Sequence, residues 1–334
     1  MADDVLVLGA NGYLGLHVVD ALRAEGVEPR CGRRKRSNVL GLLSRKANRV
    51  LADLDDPATL REAMAGVRTV VHVAGHYPRT SLDPAASLAL GLRQATTLRE
   101  IAEEAGVARF VYVSTTATVA PRPDGKPSTE ADVFPAAPDW GLYHALKWEM
   151  ERVFCGSTRM EVRLALPAGC IGPGDLRVGT SAMVVALVRG MDPPHANGVV
   201  PLVDPRDVGI AIARMAVRED APSRLILSAE SLRLHEVLVR AAETLGLPAP
   251  SPAMSDADFL ALAHRSEQES LQTGKRPALS VEIAELTVHG VPLDGTLATR
   301  ALGLHYRPST ESLTDFVRWA TPLGFFAHSP ESRP

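Results

Sequence analysis

The sequence predicts an α/β protein: a doubly wound parallel sheet, followed by a smaller, mostly helical region. Two observations carry this. Short β-branched runs alternate with amphipathic stretches through the first half, and a glycine-spaced turn separates the first such run from the stretch that follows it. Taken in order, "DVLVLG" leads into "YLGLHVVDALRAEG", "TVVHVAG" into "ASLALGLRQATTLREIAEEAG", and "RFVYVST" into "WGLYHALKWEMERVF". Alternation of this kind implies parallel strands joined by helical crossovers. The strands are too apolar to be half exposed, as expected where helices cover both faces. From about residue 171 the character changes, with Gly and Pro gathering in "GPGD", "MDPPHANG" and "GLPAPSPAM". Residues 1–170 are therefore read as the sheet domain. The stretch 199–229 is expected to return to it, and 171–198 with 230–330 forms the substrate-binding region.

At 334 residues with 46% hydrophobic content, the chain is long enough for one large unit or two modest ones. The net charge of -3 argues against a nucleic-acid or anionic-membrane partner. No apolar run approaches the roughly 18 residues of a membrane span. The opening "MADDVLVLGANG" has acids where a secretion signal carries positive charge, so a cytoplasmic protein is expected. Cys31, Cys155 and Cys170 show neither disulfide nor zinc spacing, and the histidines form no ligand pattern, so no metal is expected.

Three local patterns carry chemistry. Gly9, Gly12 and Gly15 follow the first strand, with Asn11, Tyr13 and Leu14 between them. This is the Rossmann dinucleotide turn: the glycines permit the bend, the approach of a pyrophosphate and close helix packing. The anion then rests on free amides at the helix N-terminus. Next, "VEPRCGRRKRSN" places Arg33, Arg34, Lys35 and Arg36 where an acid would hold an unphosphorylated ribose. Cations there suit a 2′-phosphate, so NADP(H) is favoured over NAD(H), although a solvated basic loop has the same composition. Asp53 and Leu54, after the third strand, are placed to meet the adenine, yet Asp53 beside Pro57 also reads as a helix cap. Finally, "YHALK" sets Tyr143 and Lys147 one helical turn apart on one face, which alone describes many surface pairs.

These patterns, with others in the same order, resemble the extended short-chain dehydrogenase/reductase family, including its dihydroflavonol-reductase-like and 3β-hydroxysteroid-dehydrogenase-like members. "GANGYLG" resembles its glycine motif, "VVHVAG" its H-x-A-[AG], "FVYVSTTATV" its hydroxyl-bearing fifth strand, "YHALK" its Y-x-x-x-K, and "LPAGCIGPGD" its R-P-x-x-x-x-G-P-G-D. The C-terminal "ALGLHYRPSTESLTDFVRW" is similar to its L-G-[WF]-x-P ending. The resemblance implies Tyr143 as proton donor, with the Lys147 ammonium lowering the phenol pKa and holding the nicotinamide ribose. The third member, a hydroxyl that orients the substrate oxygen, falls on Thr116; a slip in register would put Thr115 or Ser114 there. Val73, Ala74 and Gly75, and Pro167 and Gly169, are implied to line the cofactor. A homodimer through the helices near 84–105 and 139–155 is also implied. Ala117 and Thr118 stand where the family's 4,6-dehydratases carry Asp-Glu, which disfavours dehydration. Gly91 stands where many members carry Asn.

His76, Tyr77 and Arg79 follow the cofactor-lining segment and are candidates for substrate contact, although loop residues there are often merely exposed. The leading expectation is an NADPH-dependent ketone reductase, or the reverse alcohol dehydrogenase, acting on a small to medium apolar metabolite. A sugar-nucleotide epimerase that retains NAD and a non-catalytic NADP(H) sensor are the alternatives.

Overall fold

The computed structural model describes residues 4–78, 80, 82–176 and 178–326. Seven strands form the central sheet: β1 (Val5–Leu8), β2 (Arg30–Arg33), β3 (Arg49–Leu51), β4 (Thr69–His72), β5 (Arg109–Val113), β6 (Glu161–Pro167) and, late in the chain, β9 (Arg224–Leu227). Their order is β3-β2-β1-β4-β5-β6-β9, and every pairing is parallel. A second sheet joins β7 (Gly169–Cys170), β8 (Val199–Val203) and β10 (Glu230–Arg233) in the order β10-β8-β7.

Alternation along β1 shows how the layers are made, because successive side chains leave a strand on opposite faces. Val5 and Val7 enter one core with α1 (Tyr13–Ala24) and α7 (Pro205–Val217), while α2 (Leu40–Ser44) adds Leu42. Leu6 and Leu8 enter the other, against α3 (Pro57–Met64), α4 (Pro84–Glu104) and α5 (Leu142–Cys155). The side chain that a Cβ at Gly91 would meet is Leu146, at 2.7 Å, so the glycine lets α4 and α5 approach closely.

The remaining helices are α6 (Ala182–Val188), α8 (Leu234–Leu245), α9 (Asp256–Thr273), α10 (Val281–Val288), α11 (Thr296–Leu302) and α12 (Ser309–Ala320). Val184, Val185 and Leu187 of α6 pack with α8, α12 and the small sheet. Of the stretch 199–229 expected back in the main sheet, α7 and β9 do return. The expectation fails for β8, which pairs with β10 and β7 instead. Its apolar sequence demands burial but does not name the sheet that provides it.

Arg163 of β6 is fully buried, and its guanidinium donates to the carbonyls of Met215, Arg218 and Glu219 at the end of α7. Those carbonyls have no partner inside their own helix. Arg163→Met would leave them unsatisfied in the interior. We expect a loss of about 3 kcal/mol in urea unfolding, from hydrogen bonds to a charged group.

Candidate active site

The site lies at the C-terminal ends of the parallel strands. Gly9 ends β1 with φ +82, a conformation that favours glycine, and a Cβ there would stand 2.9 Å from the amide of Ala74. The Gly12 amide donates to the Gly9 carbonyl at 2.9 Å, and Gly12 is the N-cap of α1 without a capping side chain. The first amides of α1 are therefore open to an anion. Gly15 is buried, and a Cβ on it would lie 2.2 Å from the Gly9 carbonyl oxygen. Asn11 and Leu14 are half-buried in the turn. The Tyr13 hydroxyl donates to Gly172 O at 3.2 Å, and His17, absent from the sequence reading, meets Pro173 O at 2.9 Å, so α1 is tied to the G-P-G-D loop.

At the end of β2, Arg33 bends back toward the carbonyls of Arg34 and Lys35, while Arg34, Lys35 and Arg36 are exposed. Among the described residues, no carboxylate forms an ion pair with these four cations. Asp53 is half-buried and its carboxylate accepts the Asp55 amide at 3.2 Å. It does not cap α3: Asp56 does, accepting from the Ala58 amide. Leu54 packs on the core beneath the sheet. The open amides and the close-packed glycines fit the pyrophosphate of a dinucleotide.

Tyr143 occupies the first turn of α5 and is 7% exposed. Burial pushes its phenol well above the usual tyrosine range, the nearby Tyr77 adds to this, and a hydrogen bond with Thr115 opposes it. Thr115 also caps a 3₁₀ turn over Thr116–Thr118, so Thr116, the expected third member, opens that turn directly after it. Tyr77 lies with its ring centroid 4.8 Å from that of Tyr143 and is 43% exposed. Arg79 lies outside the described residues.

Lys147, also 7% exposed, donates to the Tyr112 hydroxyl at 3.3 Å and lies 5.5 Å from the centre of that ring. Burial lowers its pKa to about 8, and Glu151, one turn along α5, acts in the opposite direction. Lys147 is not among the groups that shift the Tyr143 phenol. Behind it His72 stacks on Tyr112 at 5.5 Å, and burial, then Lys147, brings its pKa to about 3. This ring is neutral at any ordinary pH. Burial, then the Lys147 ammonium, also lowers the pKa of His76.

Val73 continues β4 by donating to Leu8 O, Ala74 abuts Gly9, and Gly75 is exposed. Pro167 ends β6 and Gly169 begins β7, so the chain passes over the site as it changes sheets. Cys170 follows. Its thiol is pushed upward by burial, then by Asp175 and Asp204, and its influence reaches the Tyr143 phenol. Tyr112 and Cys170 were missed as site residues, because an aromatic in a strand and a lone cysteine read as core.

The sequence profile of the NAD dependent epimerase/dehydratase family matches residues 5–190, more than half of the chain. The chain belongs to this family. It is an extended short-chain dehydrogenase/reductase, in a family that includes NAD(P)-dependent reductases as well as epimerases and dehydratases. It is 26% identical over 332 residues to a Synechocystis protein provisionally named dihydroflavonol 4-reductase, covering 97% of this chain and 96% of that one. It is also 26% identical over 258 residues to cinnamoyl-CoA reductase 1 of Oryza sativa, covering 70% and 73%. Among solved structures, a nucleoside-diphosphate-sugar epimerase from Pseudomonas aeruginosa superposes with a TM-score of 0.79 at 25% identity, over 97% of this chain and 99% of that one. Among the described residues no helix is long and apolar enough to cross a membrane, and no group of three or more potential ligands is placed to hold a metal.

Gly15→Ala would drive a methyl group into the Gly9 carbonyl. Nucleotide affinity, followed by fluorescence titration, should fall by at least about tenfold, since displacing the turn by even 1 Å removes several amide contacts together.

Proposed function

We propose that this protein is an NADPH-dependent reductase of a neutral, largely apolar ketone or aldehyde, with Tyr143 as the proton donor. The observation that carries the reading is a buried phenol, kept protonated by its surroundings and held against the Thr115 hydroxyl. A phenol in that state carries the proton that reduction must deliver to the substrate oxygen, which is the form a proton donor needs and a proton acceptor does not.

When bound, the dihydronicotinamide supplies the hydride. The chain's own residues do the rest. The open amides of α1 hold the pyrophosphate, Arg33 and Arg34 take the 2′-phosphate, and Lys147 turns from Tyr112 to the ribose hydroxyls. Thr115 donates a hydrogen bond to the substrate oxygen, and Tyr143 protonates that oxygen as negative charge develops on it. Tyr77 covers the site from the loop after β4. Tyr77, Thr115 and Cys170 act on the Tyr143 phenol among the described residues, and an apolar wall of this kind suits a hydrophobic carbonyl substrate.

A second reading, an epimerase that keeps NAD bound through its cycle, draws support from the likeness to the Pseudomonas aeruginosa epimerase. The four cations at the end of β2 weigh against it. The deciding experiment is a panel of aryl and alkyl carbonyls assayed for NADPH loss. Consumption supports the reductase, whereas NAD+ carried through purification with no NADPH consumption supports the epimerase.

Two substitutions sharpen the assignment. Tyr143→Phe should lower turnover by at least about a thousandfold with NADPH affinity unchanged, and Thr115→Val should cost about 100-fold where Thr116→Val costs little. Equal losses in the two threonine variants would return the role to an open register. Arg33→Asp combined with Arg34→Ala should move preference toward NADH by about 100-fold in kcat/KM, the worth of two charge-assisted contacts; unchanged preference would make the basic run a solvated surface.

A further inference from the structure

The first turn of α5 has no cap of its own. Its N-cap is Gly141, which lacks a side chain and sits at φ +95. The amides of Leu142 and Tyr143 are instead satisfied from 140 and 139 residues away in the chain, by Glu282 of α10. One carboxylate oxygen accepts from the Tyr143 amide at 2.7 Å and the other from the Leu142 amide at 3.3 Å. Glu282 is 1% exposed, and a Cβ at position 141 would already lie 3.3 Å from its carboxylate, so the glycine also makes room for it.

The same device recurs one helix further out. Glu267 of α9, 5% exposed, accepts the amide of Val281 at 3.1 Å, next to the Ser280 cap of α10. Trp140 stacks on His289 of α10 at 4.6 Å, with the rings 3° from parallel, and this holds α10 against the entry to α5. Two buried carboxylates thus connect the α9–α10 pair in series to the backbone of Tyr143.

We infer that Glu282 is a positioning residue for Tyr143, and that it couples the α9–α10 pair of the substrate region to the phenol; this rests on the reading of Tyr143 as the proton donor. A carboxylate on helix N-terminal amides makes short, charge-assisted hydrogen bonds that also oppose the helix dipole. Without them the first turn loosens, and the phenol moves with it. A displacement of about 1 Å in a reacting group costs on the order of 100-fold.

The test uses the full chain labelled with ¹⁵N and ¹³Cζ in its five tyrosines, with Tyr143→Phe identifying the Tyr143 signals. In Glu282→Gln the Tyr143 amide should move upfield and exchange at least about tenfold faster, and the ring Cζ should shift with it. NADPH affinity should hold. kcat should fall about 10- to 100-fold at unchanged KM. Glu267→Gln, remote from the phenol, should move the same signals in the same direction by less, and it carries the test if the first variant fails to fold. Tyr143 signals that stay in place would overturn the proposal. So would an amide that moves while the ring does not, since Glu282 would then cap the helix without orienting the phenol. If the unmodified protein consumes NADPH with no carbonyl, the reductase reading fails, and the amide and ring signals alone decide the role of Glu282.

Discussion

Lys147 is a cation taken out of water, and a buried cation requires oxygen atoms around it or loses its proton. The inner face of α5 answers this requirement. The Tyr112 hydroxyl accepts from the ammonium directly, and Glu151 supplies negative charge one turn further along the same helix. Glu151 is itself held by the Thr118 hydroxyl at 2.6 Å and by Arg224 at 2.7 Å. A single lysine thereby ties α5 to β5, to the turn after it and to the last strand of the main sheet. The aromatic packing behind it, His72 against Tyr112 and Phe154, excludes water and keeps the imidazole neutral, so no second positive charge competes with the ammonium.

The second half of the chain completes the site because it is fastened to the first. After Pro167 the backbone leaves the main sheet, and Gly169 and Cys170 pair with β8. Asp204 caps α7 and binds Arg206 at 2.7 Å and Ser312 at 2.7 Å, and Arg206 reaches Asp315 of α12 at 2.8 Å. Asp207 binds Arg307. Removing one partner from a buried pair of this kind leaves a charge without compensation, at about 3–5 kcal/mol, so these contacts hold the C-terminal helices in one place. The cap that Glu282 places on α5 depends on that fixed placement.

Much of this was legible in the sequence. The glycine turn reads directly because a strand, a tight bend and a helix must follow one another within a few residues, and Gly9 and Gly15 stand where backbone meets backbone. Tyr143 and Lys147 read directly because spacing of four puts two side chains on one helical face. The hydroxyls of "VSTTATV" fall at the end of β5, where a 3₁₀ turn over Thr116–Thr118 replaces strand alternation, and nothing in that stretch marks where the change happens. The capping of α3 fell to Asp56 and not to Asp53, two acids in "DLDD" that propensity does not distinguish.

The sequence by itself determined the parts whose causes are local: the alternation of strand and helix, the open helix N-terminus at the glycine turn, and the placing of Tyr143 and Lys147 one turn apart on α5. Tertiary structure alone decided which sheet receives β8, which hydroxyl accepts a hydrogen bond from Lys147, and which distant glutamate caps α5. The division has one physical reason. Dihedral preferences and side-chain periodicity act over a few residues, whereas the oxygen atoms that satisfy a buried amide or ammonium come from whichever segment packs there. The 139 residues between Tyr143 and Glu282 leave no periodicity by which that partner could be read.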